Sequence, residues 1–228
     1  MKHQVCQTCG VEFEYEPIIL YGRERFPVRH CLPCRLAETA RLRREREAER
    51  RRHLEAAWEA ICPPAYRDTD PAHPELNRRL LDGLLRYRPC GRGIGLYGPT
   101  GRGKTRMMYL LLKKLHFDGY RVHACSAPLL SQSIARQWGE DREADHARYI
   151  LRQCYAAEIL FLDDVGKQRF TSAAESEFYT LIETRTSQLR PILWTANATG
   201  SALAAMMSPD RGEPIVRRLE EFCEVLGV

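Results

Sequence analysis

Gly98-Pro99-Thr100-Gly101-Arg102-Gly103-Lys104-Thr105 fits G-x-x-x-x-G-K-S/T at every fixed position. The residue types follow from phosphate chemistry. Glycines let successive backbone N–H groups curl around a β-phosphate without Cβ clashes. Lys104 supplies a mobile ammonium for β/γ oxygens, and the Thr105 hydroxyl is a Mg²⁺ ligand. Ile94-Gly95-Leu96-Tyr97 reads as a strand entering the loop, and Arg106 to Leu115 as a helix leaving it. The start of that helix points its dipole at the phosphates. The plainer alternative, a glycine-rich turn that binds nothing, leaves the strand–loop–helix order unexplained.

Composition sets the frame. The 228 residues are 44% hydrophobic, which suits one standard domain with a sizeable core plus a small appendage. No run of eighteen apolar residues occurs, and Met-Lys-His-Gln-Val-Cys lacks the apolar stretch of a signal peptide, so the expectation is a cytoplasmic protein without a membrane span. In that compartment the nine cysteines stay reduced or bind metal. The net charge of +5 permits nucleic-acid binding without establishing it.

Four of the cysteines fall as Cys6-x-x-Cys9 and Cys31-x-x-Cys34. A Cys-x-x-Cys knuckle turns both sulfurs to one side, and Gly10 suits the tight turn after Cys9. Fewer than about forty residues cannot build an adequate core, so metal supplies the missing stability, on the order of 10 kcal/mol. Zn²⁺ is the default for a closed four-sulfur site, in a structural role. His30 is an alternative ligand; a redox dithiol or unrelated cysteines are the plainer alternatives. The segments 11–15 and 25–29 are expected to pair as a small hairpin. Cys62, Cys90, Cys125, Cys154 and Cys223 read as packing residues.

From Arg35 to about Ala60 the chain is rich in Arg, Glu and Ala, with Glu/Arg pairs at i,i+4. It reads as a solvated helix spacing two modules. A sharper reading is a helix that meets a partner protein or nucleic acid with its arginine face. Pro63 and Pro64 stop it, and a boundary is expected in the proline-rich stretch 62–75.

Beyond the loop helix, residues 120–125 read as a strand, and 126–138 and 142–156 as helices. Ile159-Leu160-Phe161-Leu162 is a continuous apolar run, as for a central parallel strand, and it ends in Asp163 and Asp164. The carboxyl edge of a parallel sheet is where such folds bind ligand. Asp163 is expected to hold Mg²⁺, and Asp164 to polarise an attacking water. A helix over 172–187 precedes Ile192-Leu193-Trp194, a strand ending in Thr195 and Asn197, and Asn197 is placed to orient water. The plainer alternative is a turn-forming asparagine. Near the end, Ile215-Val216-Arg217-Arg218-Leu219 offers an arginine that can reach a neighbour's γ-phosphate, Arg218 being favoured. The plainer alternative is an exposed helix arginine.

In this order the residues resemble an AAA+ ATPase of the bacterial helicase-loader clade, the DnaC/DnaI-like proteins, and the closely similar IstB-type transposition ATPases. The resemblance covers about residues 60–226. It rests on Ile61-Cys-Pro-Pro-Ala-Tyr-Arg-Asp, Phe161-Leu-Asp-Asp-Val-Gly, Phe178-Tyr-Thr-Leu-Ile-Glu-Thr-Arg, Leu189-Arg-Pro-Ile-Leu-Trp-Thr-Ala-Asn and Ile215-Val-Arg-Arg-Leu. It implies an α/β fold: a P-loop parallel sheet with flanking helices and no C-terminal lid domain, plus the small four-cysteine zinc module. The expected domains are 1–36 (zinc), 37–61 (linker helix) and 62–228 (ATPase).

The resemblance also implies ATP, Mg²⁺ and Zn²⁺ as cofactors. ATP is bound by residues 98–105 between protomers, with Lys104, Thr105, Asp163, Asp164 and Asn197 from one copy and Arg218 from the next. The implied partners are a replicative hexameric helicase, met by the zinc module, single-stranded DNA, and further copies of the chain. Residues 126–155 are the implied DNA-facing insertion, with Arg136, Arg142 and Arg148 as basic candidates. An IstB-like regulator of DNA transposition is the alternative function. A small-molecule P-loop kinase leaves Asn197 and Arg218 unexplained, and a pure adaptor leaves the intact Lys104, Thr105, Asp163 and Asp164 unexplained.

Overall fold

The computed structural model describes residues 1–21, 23–167 and 171–228. Two compact units divide the chain, Met1–Ala56 and Ala57–Val228.

In the first unit, β1 (Lys2–Val5) pairs antiparallel with β2 (Glu12–Tyr15), and β3 (Ile18–Leu20) with β4 (Arg23–Arg25). The single hairpin expected between 11–15 and 25–29 is therefore replaced by two. The reason is local. The first cysteine knuckle is itself the turn of the β1–β2 hairpin: the Cys6 N–H donates to the Val11 carbonyl at 2.9 Å, and the Gly10 N–H to the Cys6 carbonyl at 2.9 Å. Gly10 takes φ +73°, open to glycine without strain. Helix α1 (Leu32–Ile61) starts earlier than its composition suggests, so that Cys31 and Cys34 are three apart at its beginning. That spacing puts both sulfurs on one side.

The second unit begins within the end of α1. It continues with α2 (Pro64–Arg67), α3 (Arg78–Leu85), β5 (Gly93–Tyr97), α4 (Lys104–Phe117), β6 (Val122–Ser126), α5 (Ala127–Arg136) and α6 (Arg142–Ala156). Then come β7 (Ile159–Val165), α7 (Ser172–Ser187), β8 (Ile192–Ala196), α8 (Gly200–Ala204), α9 (Gly212–Phe222) and β9 (Cys223–Gly227). The five strands form one sheet in the order β6-β7-β8-β5-β9, every neighbouring pair parallel. Side-chain oxygens begin the helices: Asn77 accepts from the Leu80 N–H, Ser126 from Leu129, Asp141 from Ala144 and Thr171 from Ala174.

Strand β9 is absent from the sequence reading. Cys223-Glu-Val-Leu-Gly has no unbroken apolar run; what makes it a strand is the edge of β5, to which Cys223–Gly227 pair residue for residue with Gly93–Tyr97.

The sheet is buried on both faces, so its strands alternate between two cores. Leu160, Leu162, Ile192 and Trp194 face one core with α5, α6, α7 and α9. Ile159, Phe161, Leu193, Ile94 and Leu96 face the other with α3, α4 and Trp58. Arg185, fully buried, ties the lower ends of β7 and β8. Its guanidinium donates to the carbonyls of Cys154 and Ala157 at 2.9 Å each, Pro191 at 3.1 Å and Glu158 at 3.2 Å. With no carboxylate beside it, burial lowers its pKa to about 10. Among the described residues no helix is long and apolar enough to cross a membrane.

Candidate nucleotide site and four-cysteine cluster

The loop between β5 and α4 needs its glycines. Gly98, Gly101 and Gly103 have φ of +146°, +83° and +71°. A Cβ on Gly98 would meet the Val228 carbonyl oxygen at 2.7 Å, and one on Gly103 would meet Leu76 Cδ2 at 2.5 Å. Gly103 is also the residue on which α4 starts, with Lys104 and Thr105 in its first turn. Position and dipole then favour an anion in front of the loop.

Lys104 is buried, and its Nζ donates to the carbonyls of Gly98 at 2.7 Å and Pro99 at 2.9 Å, and to Asn197 Oδ1 at 3.2 Å. All three acceptors are uncharged, so the ammonium keeps its charge for an anionic ligand. Burial lowers the Lys104 pKa below its usual value, with Asp164 acting in the opposite sense.

Three elements meet at Asp163. Its Oδ1 accepts from Thr105 Oγ1 on α4 at 2.9 Å and from Thr195 Oγ1 on β8 at 2.5 Å. Thr195 Oγ1 in turn accepts the Asp164 N–H at 2.9 Å. The β7–β8 register slips between Leu162 and Val165, where Asp164 adopts φ +60°. Such a conformation costs about 1–3 kcal/mol in a non-glycine residue and is retained where function or packing demands it. It leaves Asp164 paired with Lys167, Oδ1 to Nζ 2.9 Å.

The structure thus gathers Lys104, Thr105, Asp163, Asp164 and Asn197 at the carboxyl edge of the sheet, and adds Thr195 and Lys167. Thr195 had a signal in the sequence: a hydroxyl inside the apolar strand Ile192-Leu-Trp-Thr-Ala is buried and must find a partner. Lys167 had none. The donor set fits the implied groups. Thr105 Oγ1 and Asp163 Oδ1 are hard oxygens close enough to share one Mg²⁺, and the glycine loop with Lys104 suits a polyphosphate.

Arg218 lies apart from this group. On α9, its Nε pairs with Glu183 Oε2 at 2.7 Å and its second amino group donates to Glu183 Oε1 at 3.0 Å, while the guanidinium covers the Phe222 ring at 5.8 Å. Arg217 is exposed and makes no ion pair among the described residues. The basic candidates between α5 and α6 are largely engaged locally. Arg136 pairs with Glu143, and Arg148 braces the turn through the carbonyls of Gln137 at 2.6 Å and Gly139 at 2.9 Å and through Asp145 at 2.8 Å. Arg142 stays exposed, and so does Trp138 in that turn.

In the first unit the sulfurs of Cys6, Cys9, Cys31 and Cys34 all lie within 4.8 Å of one another, the one such cluster among the described residues. Tetrahedral zinc with ~2.3 Å bonds requires sulfurs ~3.8 Å apart, and Cys9 and Cys31 stand at 3.6 Å. The Cys31 N–H donates to Cys6 Sγ at 3.3 Å. Burial opposes the Cys6 thiolate, but backbone N–H groups of Cys31, Cys9 and Thr8 outweigh it and lower the pKa to about 5. Hydrogen bonding among the sulfurs, first with Cys31 and then Cys9, pushes Cys34 up to about 12. Four sulfurs this close ionise together only around a cation, so the donor set fits zinc. His30 bonds Thr8 instead, Nδ1 to Oγ1 3.0 Å.

Fold and site define an AAA+ P-loop nucleotide-binding protein with an appended four-cysteine unit. The family described as IstB-like ATP binding protein matches residues 67–228, and the chain belongs to it. No curated protein matches. Among solved structures, the DnaC helicase loader superposes with a TM-score of 0.56 at 22% identity, over 72% of this chain and 95% of that one. DnaI gives 0.55 at 17% identity, over 77% and 93%. The replication initiator DnaA bound to AMPPCP and single-stranded DNA gives 0.54 at 19% identity, over 66% of this chain. The chain spans 44% of that DnaA chain. At these identities the likeness is one of fold.

Proposed function

We propose that this protein is an ATP-dependent loader of a replicative DNA helicase, hydrolysing ATP between neighbouring copies in the cytoplasm. The observation that carries the enzymatic reading is the convergence of Thr105 and Thr195 on Asp163 at 2.9 and 2.5 Å, with Asn197 3.2 Å from Lys104. Lys104 holds β/γ oxygens. Thr105 and Asp163 are the residues to hold Mg²⁺, which supplies charge neutralisation at the phosphates when bound. Asp164 and Asn197 position and polarise the attacking water.

Arg218 acts on a neighbour's nucleotide after leaving Glu183. That pair is about one-third exposed on each side, 34% and 36%, so its release costs about 1 kcal/mol or less. A finger in place is worth ~10³–10⁵ in rate, which decides the balance. Support for the loader role is the near-complete coverage of the DnaC and DnaI structures. In this reading the four-cysteine unit, whose donor set fits zinc, is the part that meets the helicase. Single-stranded DNA is the ligand along which copies assemble.

The test is reconstitution with the host's purified hexameric helicase on circular single-stranded DNA. The full chain with ATP should increase helicase loading, while Lys104→Ala should not bind ATP and should not load. An unchanged ATP affinity in Lys104→Ala overturns the nucleotide site; intact ATPase without loading overturns the loader role. The family match favours one second reading, an IstB-like ATPase regulating DNA transposition. ATP-dependent recovery of a transposase in place of a helicase would select it.

A further inference from the structure

Helix α1 carries a pattern that the nucleotide site does not use. Arg35, Thr39, Arg43, Arg46, Arg50 and His53 recur at spacings of four, four, three, four and three. At ~100° per residue they share one face within an arc of about 80°. No acidic residue falls in that arc. Glu38, Glu45 and Glu49 lie to one side of it, and Glu47 and Glu55 to the other.

The ion pairs agree with this segregation. Arg41 takes Glu38 at 2.7 Å and Glu45 at 3.2 Å, and Arg51 takes Glu55 at 3.0 Å, all outside the arc. Among the described residues two members of the face meet an acid from outside it, both at long range, Arg50 with Glu47 at 3.8 Å and His53 with Glu49 at 4.0 Å. Arg35, Arg43 and Arg46 are exposed and make no ion pair among the described residues. A helix that is only a solvated spacer gains ~0.3–0.5 kcal/mol from each i,i+4 pair and has no reason to sort its charges.

We propose that this face of α1 binds the phosphate backbone of duplex DNA. Four arginines span about 22 Å of straight helix, and a duplex carries one charge per ~1.7 Å, so the track faces on the order of a dozen phosphates. Guanidinium groups bind phosphate oxygens in bidentate fashion. A rigid row matches a rigid polyanion. Flexible single strands are gripped by grooves with stacking aromatic rings, and this face, whose other members between Leu32 and Ala56 are Leu32, Thr39 and His53, has no Phe, Tyr or Trp. With no Asn or Gln on the face either, the contact is to backbone and independent of sequence.

The test is fluorescence anisotropy of the full zinc-loaded chain, without nucleotide, on a duplex of about 25 base pairs and on a single strand of equal length, across a salt series. The variant Arg43→Gln/Arg46→Gln/Arg50→Gln is compared with Arg41→Gln/Arg44→Gln/Arg52→Gln, which removes the same charge from the other faces. Gln keeps helix propensity close to Arg. The first variant should flatten the slope of log K against log salt for duplex by about 2.7 and weaken binding at least about tenfold at ~0.1 M salt. The second should change affinity less than about threefold. Single Arg46→Gln should flatten the slope by about 0.9, which keeps the test open if the triple variant loses zinc or helix. Equal losses in both triples, an unchanged duplex affinity in the first, or a loss confined to the single strand each overturn the proposal.

Discussion

At Asp163, burial and hydrogen bonding pull in opposite directions. Burial raises the carboxyl pKa, the hydroxyls of Thr195 and Thr105 lower it, and Asp164 raises it again; the net displacement is upward. A carboxyl whose pKa is higher in the fold than in the unfolded chain binds its proton more tightly when folded. Its contribution is most favourable below the unfolded value and declines as pH rises through the folded value. Asp163→Asn should therefore melt above the wild type in metal-free, nucleotide-free buffer at neutral pH, while Mg²⁺-dependent hydrolysis disappears. Scanning fluorimetry and a phosphate-release assay check this pair, and a lower melting temperature would count against the electrostatic account. That Lys104, Thr105 and Asp163 lie at one edge of the sheet was legible because loop and acid motifs are short and chemically specific. The role of Thr195, two hydrogen bonds at one oxygen, was not, because it depends on β7 and β8 being neighbours. Arg218 makes the same point: its residue type was legible, but its pairing with Glu183, thirty-five positions away, was not. Arg218→Ala should leave ATP binding within about twofold and cut turnover at least about a hundredfold, and mixing it with Asp164→Ala should restore part of the rate. A mixture as inactive as its components would argue against a site shared between copies.

At the scale of elements, the fold depends on close approach as much as on propensity. Strand β5 lies between β8 and β9, and a Cβ on Gly95 would stand 2.2 Å from the Trp194 ring, itself fully buried. Gly95→Ala should cost about 3 kcal/mol or more, read as a lower denaturant midpoint with an unchanged slope, because core overpacking has nowhere to relax. A cost under about 1 kcal/mol would mean that the ring moves freely. The interior strand β7 was legible from Ile159–Leu162 because both faces are buried and the run is unbroken. The register slip and the left-handed Asp164 were not legible, since nothing in Asp-Asp-Val-Gly distinguishes a bulge from a turn. In the first unit the knuckle's hydrogen bonds, rather than strand composition, choose which segments pair.

For the whole molecule, the two units draw stability from different sources. Met1–Ala56 exposes much of its apolar surface, including Ile18, Ile19, Tyr21 and Phe26, and among its described residues the buried apolar ones are Cys6 and Cys31. Ala57–Val228 has two apolar cores around a five-stranded sheet. Chelation should therefore release about one zinc per chain and abolish the β1–β2 and β3–β4 hairpins, leaving the second unit's melting transition within about 2 °C. Amide exchange resolved by peptide measures both at once. Protection in residues 2–25 that survives chelation would show that metal does not hold this unit.

What the amino-acid sequence determined by itself is chemistry carried within short spans. The phosphate loop, the paired cysteines, the acid-ended strand and the long Arg/Glu helix each rest on neighbours within a few residues. Local backbone geometry and side-chain type are sufficient there. The tertiary structure alone decided the contacts between distant segments: Thr195 at Asp163, Asn197 at Lys104, Glu183 at Arg218, and β9 along β5. Parallel pairing joins residues more than a hundred positions apart, as Gly93 and Cys223 are, and no local periodicity encodes which strand lies beside which.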